Sequence, residues 1–256
     1  MDEILYTSTA PTIISSEQKE QYGRDGYFII RGLYDQDEID LMHALRHRVE
    51  AEAVGKSEGY QRDGADYNIE PLVTDPNKVA LRKIQEVYHS EPEFRTVAAS
   101  NKILDIVEDL IGPNIYYHSS KVMCKPPHGG RRKPWHQDFA YWADMQPKQV
   151  TVWGAIDPAT RENGCIQVIP GSHLEGLVQH HHGEDFMIEE TQIDESRIVF
   201  AEMDPGDVLF FNVLVLHASD PNLSDKPRLS TIIDFDSKPR SDGQRYGSDE
   251  PLRQKG

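Results

Sequence analysis

The chain has 256 residues, 38% of them hydrophobic, and a formal net charge of −16 from 43 acidic against 27 basic side chains. That length and apolar content predict a single domain over residues 1–256 with a real core rather than a disordered chain. The acidic field would repel a phosphate backbone, so nucleic acid is not an expected partner, and no apolar run approaches the ~20 residues that span a bilayer. The opening MDEILYTSTAPTII lacks the basic-then-apolar pattern of a secretory signal, and two cysteines, Cys124 and Cys165, are too few for a disulfide framework. A cytoplasmic location is the expectation.

In chain order, Ser15-Ser16-Glu17 reads as the capped start of a short helix, followed by an apolar strand in GYFIIRGLY. Asp35 reads as an N-cap with Glu38 at the third helical position, and Ile39, Met42, Leu45 and Val49 then recur at a helical period. NKILDIVEDLIG repeats the pattern, with Ile103, Ile106, Val107 and Leu110 on one face and Gly112 at the end. The part from about 15 to 112 is therefore expected to be helix-rich. Beyond it, short strand-like runs separated by Pro, Gly, Asn and Asp follow one another: IYYHSSKVMC, QVTVWGAI, CIQVIPG, RIVFAEM, DVLFFNVLVLH and RLSTIIDFD. This predicts a mainly β fold with flanking helices: a β core over about 113–236, a loop-rich insertion near 172–195 and a short C-terminal tail.

PWHQDFAYW, residues 134–142, sets His136 and Asp138 two apart among aromatic residues. In an extended strand such positions face the same side and could share a metal ion. The strongest candidate for a third ligand is His217, at the end of the apolar run GDVLFFNVLVLH. Two histidines and one carboxylate form the facial set of non-haem Fe(II) oxygenases. The same residues could hold zinc for a hydrolase, or belong to a non-catalytic binding module. Arg228, 11 positions after His217, begins another β-type run, with Ser230 on its face. A buried arginine needs an anion, and its planar fork suits a carboxylate, so the two residues read as a clamp for the distal carboxylate of 2-oxoglutarate. Three further stretches carry expectations. Phe139, Tyr141 and Trp142 would form a dry wall around the metal or pack in the core, His180-His181-His182 a solvated lid loop, and Arg131-Arg132-Lys133 either a lure for an anionic substrate or a solvated loop.

KIQ at 83–85, GPNI at 112–115, KPP at 125–127, WHQD at 135–138, RENGCIQVIPGSH at 161–173 and PGDVLFFN at 205–212 stand in this order with His217 and Arg228. Over about residues 20–236 the sequence resembles the phytanoyl-CoA dioxygenase family of Fe(II)/2-oxoglutarate oxygenases. The resemblance implies a double-stranded β-helix, the cupin-like jelly roll. It implies His136, Asp138 and His217 as iron ligands and Arg228 as the partner of 2-oxoglutarate. Lys83, Lys121 and Trp153 match positions that line the co-substrate pocket, with Met123 an alternative to Lys121. The implied reaction consumes dioxygen and 2-oxoglutarate, oxidises an unactivated C–H bond of a small molecule and releases succinate and carbon dioxide. Hydroxylation is the first expectation, and ascorbate a possible stimulant.

Overall fold

The computed structural model describes residues 13–56, 59–72, 75–142, 149–183, 185–239, 247 and 250–254. The α-helices among the described residues are α1 (Ser16–Asp25), α2 (Gln36–Glu52), α3 (Val87–Ser90), α4 (Pro92–Ala98) and α5 (Asn101–Ile111). The strands before the metal motif are β1 (Tyr27–Ile30), β2 (Tyr60–Arg62), β3 (Ala65–Leu72), β4 (Asp75–Gln85) and β5 (Ile115–Lys125). There follow β6 (Lys133–His136), β7 (Gln149–Ala155), β8 (Ile166–Val168), β9 (His181–His182) and β10 (Phe186–Met187). The last are β11 (Val199–Ala201), β12 (Val208–Asn212), β13 (His217–Ser219), β14 (Arg228–Asp236) and β15 (Pro251–Arg253).

The helix starts follow their local chemistry. Ser15 and Asp35 each accept from the backbone N–H three residues on, while Gln18 and Glu38 reach back to the cap, so both ends are reciprocal capping boxes. Gly26 ends α1 in the left-handed region at φ 83°. The stretch from 60 to 85 departs from the helix-rich expectation. It forms a meander, β2–β3–β4, that extends the large sheet from the edge of β5. Short alternating runs broken by Asp, Asn and Pro carry little periodicity, and pairing with β5 decides their state. Lys83 is therefore a strand residue, not a helix lysine.

The large sheet runs β1-β12-β7-β14-β5-β4-β3-β2, with β15 beside β5, and a four-stranded sheet runs β11-β8-β13-β6. Together they form the jelly-roll core that the family resemblance implies. Period-two alternation sorts the side chains of the large sheet. Val150 and Val152 of β7, Val122 and Cys124 of β5, and Ile233 and Phe235 of β14 pack with Met42, Leu45, Val49, Ile103, Ile106 and Val107 of the helices. On the other face Trp153, Leu209 and Phe211 pack with Ile166, Val168 and Ala201 of the small sheet. Gly154 is required between these layers: a Cβ there would lie 2.2 Å from Tyr34 Cε2 and 2.6 Å from Thr231 Oγ1. No helix among the described residues is long and apolar enough to cross a membrane.

Candidate active site

His136 ends β6 and lies opposite His217 of β13, which brings the two imidazole centroids to 4.1 Å. Asp138 is not on that strand, contrary to the i, i+2 expectation. It opens a 3₁₀ turn, Asp138–Trp142, that folds its carboxylate back toward both rings. Asp138 Oδ1 lies 3.5 Å from His136 Nε2 and 3.7 Å from His217 Nε2. One ligand atom from each residue falls within 4.8 Å of the others, and all three residues are buried. His136 Nδ1–H donates to the Pro134 carbonyl at 2.9 Å and His217 Nδ1–H to the Val215 carbonyl at 3.0 Å. Those bonds fix the tautomer and leave both Nε2 lone pairs converging beside the carboxylate, the donor set a cation needs.

Burial pushes His136 down to about 3 and also lowers His217, so both rings are neutral near pH 7. Burial opposes the charge on Asp138, yet its carboxyl stays well below the usual carboxylate range, because a proton entering the site resides on the facing His217 or His136 rather than on the carboxylate, and the Lys121 ammonium adds to this. Its other oxygen lies 2.9 Å from the Thr151 hydroxyl, which is also 2.8 Å from Asp234 Oδ1.

Between the two clustered residues, Gln137 is fully buried and ties three segments together. Its amide donates to the carbonyls of Gly176 at 2.8 Å and Leu214 at 2.7 Å, and its Oε1 accepts from the Val178 N–H at 2.8 Å. Its backbone N–H donates to His180 Nε2 at 3.0 Å, and His180 Nδ1–H donates to the Val178 carbonyl at 2.8 Å. His180 is thus a partly buried support of the metal motif, which corrects the solvated-lid expectation for this residue. His181 and His182 pair with Phe186 and Met187 in a small hairpin. Sequence reasoning missed this support because its partners lie 39–77 residues from Gln137.

The cluster opens into a cavity of about 810 Å³ that also contains Arg228, Lys125 and Trp153. Arg228 is 2% exposed, its guanidinium sits 5.2 Å from the Trp153 ring centroid, and among the described residues its Nε and Nη1 have no hydrogen-bond partner. Burial pulls it down to about 10. Lys125 is the cross-strand partner of Arg228, and its ammonium donates to the Asp220 carbonyl. Burial, with Arg228 adding to it, lowers Lys125 to about 7. A closed cavity end with unpaired buried N–H groups and two cations calls for an anion. Lys121 lies nearer the metal cluster, 3.9 Å from Asp234 Oδ2, and Met123 stands between Lys121 and Lys125 on the same face.

Some expected residues are placed otherwise. Ser230 shares a strand face with Arg228, but its hydroxyl donates to the Met123 carbonyl at 3.3 Å and it does not line the cavity. Ser219, two residues after His217, does line it, and that spacing was the available signal. Of the aromatic wall, Tyr141 lines the cavity and Phe139 does not, while Trp153, Phe211 and Ile166 supply the rest of the apolar lining. The side chain of Trp142 lies outside the described residues. Lys133 is held by Asp185 at 2.6 Å and Arg132 pairs with Glu190, so only Arg131 of that basic run has no acidic partner among the described residues.

A jelly roll with a two-histidine, one-carboxylate cluster at a cavity closed by a buried arginine defines the class of non-haem iron oxygenases. A family profile described as phytanoyl-CoA dioxygenase (PhyH) matches residues 22–230, and the chain belongs to that family. It is 25% identical over 266 residues to the ectoine dioxygenase of Sphingopyxis alaskensis, covering 96% of this chain and 83% of that protein. It is 30% identical over 231 residues to the peroxisomal phytanoyl-CoA dioxygenase of Rattus norvegicus, covering 82% of this chain and 64% of that one. The crystal structure of EctD from S. alaskensis with 2-oxoglutarate and 5-hydroxyectoine superposes with a TM-score of 0.70 at 25% identity, over 91% of this chain and 78% of that one. The protein is an Fe/2-oxoglutarate-dependent oxygenase.

Proposed function

We propose that His136, Asp138 and His217 hold Fe(II), that Arg228 with Lys125 anchors the distal carboxylate of 2-oxoglutarate, and that the enzyme hydroxylates a small molecule. The observation that carries the proposal is the pairing of two features in one cavity. Three convergent buried ligands stand at one place, and at another a buried guanidinium whose Nε and Nη1 have no partner among the described residues. Iron, when bound, supplies the oxidising power drawn from dioxygen and 2-oxoglutarate, with succinate and carbon dioxide released.

The chain's own residues supply placement. Pro134 and Val215 carbonyls hold the imidazoles with Nε2 free, and Thr151 holds the second oxygen of Asp138. The charge of Asp138 disfavours a halide beside the metal, which favours oxygen insertion over halogenation. Arg228 offers unpaired guanidinium donors to a carboxylate, and Trp153 stacks against it and keeps water from the pair. Lys121, on the cavity face nearest the metal cluster, extends the positive lining along the co-substrate's path. Met123, between Lys121 and Lys125, packs against that path. Ascorbate is expected to stimulate turnover by keeping iron reduced. The free, buried Cys124 and Cys165 support a reducing, cytoplasmic setting. The whole chain is read as one oxygenase domain, because helices and large sheet share a core. The direct test is succinate formation from 2-oxoglutarate with Fe(II) and dioxygen. Activity should be lost in His217→Ala and Asp138→Ala, and equal rates in parent and variants would overturn the ligand assignment.

A further inference from the structure

The cavity has an electrostatic character that metal and co-substrate do not use up. Eight basic but only two acidic side chains line it, in a protein of net charge −16. Most of the cations are engaged. Lys133 and Arg132 are ion-paired, Lys121 faces Asp234, and Arg228 and Lys125 share the closed end. Arg82, Lys83 and Arg131 are left, and among the described residues none of these three has an ion-pair partner.

The backbone explains how adjacent residues Arg82 and Lys83 come to line one space. Neighbours in a regular strand point to opposite faces. Here Asn68 pairs with Lys83 and Ile69 with Leu81, so Arg82 is an extra, unpaired residue in β4. A bulge of this kind re-aims side chains, and both residues reach the cavity. Arg131 approaches from the loop before β6. Lys83 is pushed down to about 8, by burial first and then by Lys121, Arg82 and Lys133; the one acid acting on it, Asp185, is already held by Lys133. Half-buried Arg82 and Lys83 repel each other, and exposed Arg131 adds a third cation to the lining of the same cavity, a charge excess that an anion would relieve.

We propose that Arg82, Lys83 and Arg131 form a receiving site for an oxyanion group of the substrate, a carboxylate or a phosphate, at the mouth of the cavity. The inference deepens the proposed function and rests on it, since it names the class of molecule that site oxidises. The bound group would rest on residues other than Arg228 and Lys125, which anchor the distal carboxylate of 2-oxoglutarate, and Lys83, matched by the resemblance to the co-substrate pocket, is assigned to the substrate instead. The substrate would then be held by its charged end while its apolar part extends past Tyr141 toward the metal cluster.

The test uses the full chain labelled with ¹⁵N-arginine, loaded with Zn(II) as a diamagnetic stand-in and with 2-oxoglutarate. Inorganic phosphate, acetate and neutral acetamide are titrated separately while the arginine Nε–H resonances are followed, assigned with Arg82→Gln and Arg131→Gln. Phosphate or acetate should move the Arg82 and Arg131 signals saturably. Lys83→Gln should weaken that binding about tenfold, the factor for losing one charge-assisted hydrogen bond. Tighter phosphate binding would mark a phosphorylated substrate, and acetate binding as tight or tighter a carboxylated one. Equal shifts with acetamide, unsaturable drift of all arginines alike, or unchanged affinity in Lys83→Gln would overturn the proposal. Failure of the protein to take up Zn(II) or 2-oxoglutarate would count against the proposed function instead, and the phosphate titration would still be readable.

Discussion

Replacing Arg228 by methionine removes a buried charge while keeping most of the side-chain volume, and the structure predicts opposite effects on two properties. Burial pulls the guanidinium from 12.5 to about 10, so holding the charge there costs on the order of 3 kcal/mol in the free protein. A bound carboxylate offsets that cost by giving a partner to guanidinium nitrogens that have none among the described residues. Breaking a buried charge pair on one side typically costs about 3–5 kcal/mol. Lys125 stays as a second cation, so the lower figure applies, and 2-oxoglutarate affinity should fall roughly 150-fold. The variant without co-substrate should melt no lower than the parent, and up to several degrees higher. Calorimetric titration of 2-oxoglutarate into the metal-loaded protein measures the first effect, and thermal unfolding without co-substrate the second. Affinity within threefold of the parent, or a destabilised free variant, would refute the reasoning.

Gln137→Leu leaves the Gly176 and Leu214 carbonyls and the Val178 N–H unpaired, so metal affinity should drop about 10–100-fold in a competition titration with a chelator; parental affinity would show that Gln137 does not position the ligands. Gly154→Ala forces a Cβ against Tyr34 and Thr231 and should cost about 1–3 kcal/mol in chemical denaturation, whereas a neutral result would mean that these two side chains yield freely. Lys125 has a folded value of about 7 against 10.5 unfolded, so between those values the unfolded chain binds the extra proton and stability rises with pH; below about 7 the full penalty is present. Lys125→Met should therefore be more stable than the parent near pH 6, with the gap shrinking toward about pH 10, and a pH-independent gap would contradict the assignment.

The metal cluster was legible because its residues are chemically specific and two of them lie close in sequence. Even there, His136 and Asp138 meet through a turn at the end of β6 rather than along one strand. The capped helices were legible from Ser15 and Asp35, whose hydrogen bonds are local. The meander at 60–85 was not, because its β4 joins the sheet only through β5, more than 30 residues away, and β2 and β3 are built outward from β4. Lys125 reads as part of a KPP motif, and only the register of β14 against β5 reveals it as the neighbour of Arg228. His180 hides within three consecutive histidines, and its role depends on one bond to the Gln137 backbone. Arg82 shows nothing in sequence, since its aim comes from a bulge.

The central claim is that one cavity holds Fe(II) on His136, Asp138 and His217 and 2-oxoglutarate on Arg228. Anaerobic titration of the protein with Fe(II) and 2-oxoglutarate, followed in the visible region, tests it most directly. A weak charge-transfer band should appear only when both are present, vanish in His217→Ala, and in Arg228→Met require far more 2-oxoglutarate. No band with both present in the parent, or an undiminished band in His217→Ala, would contradict the account.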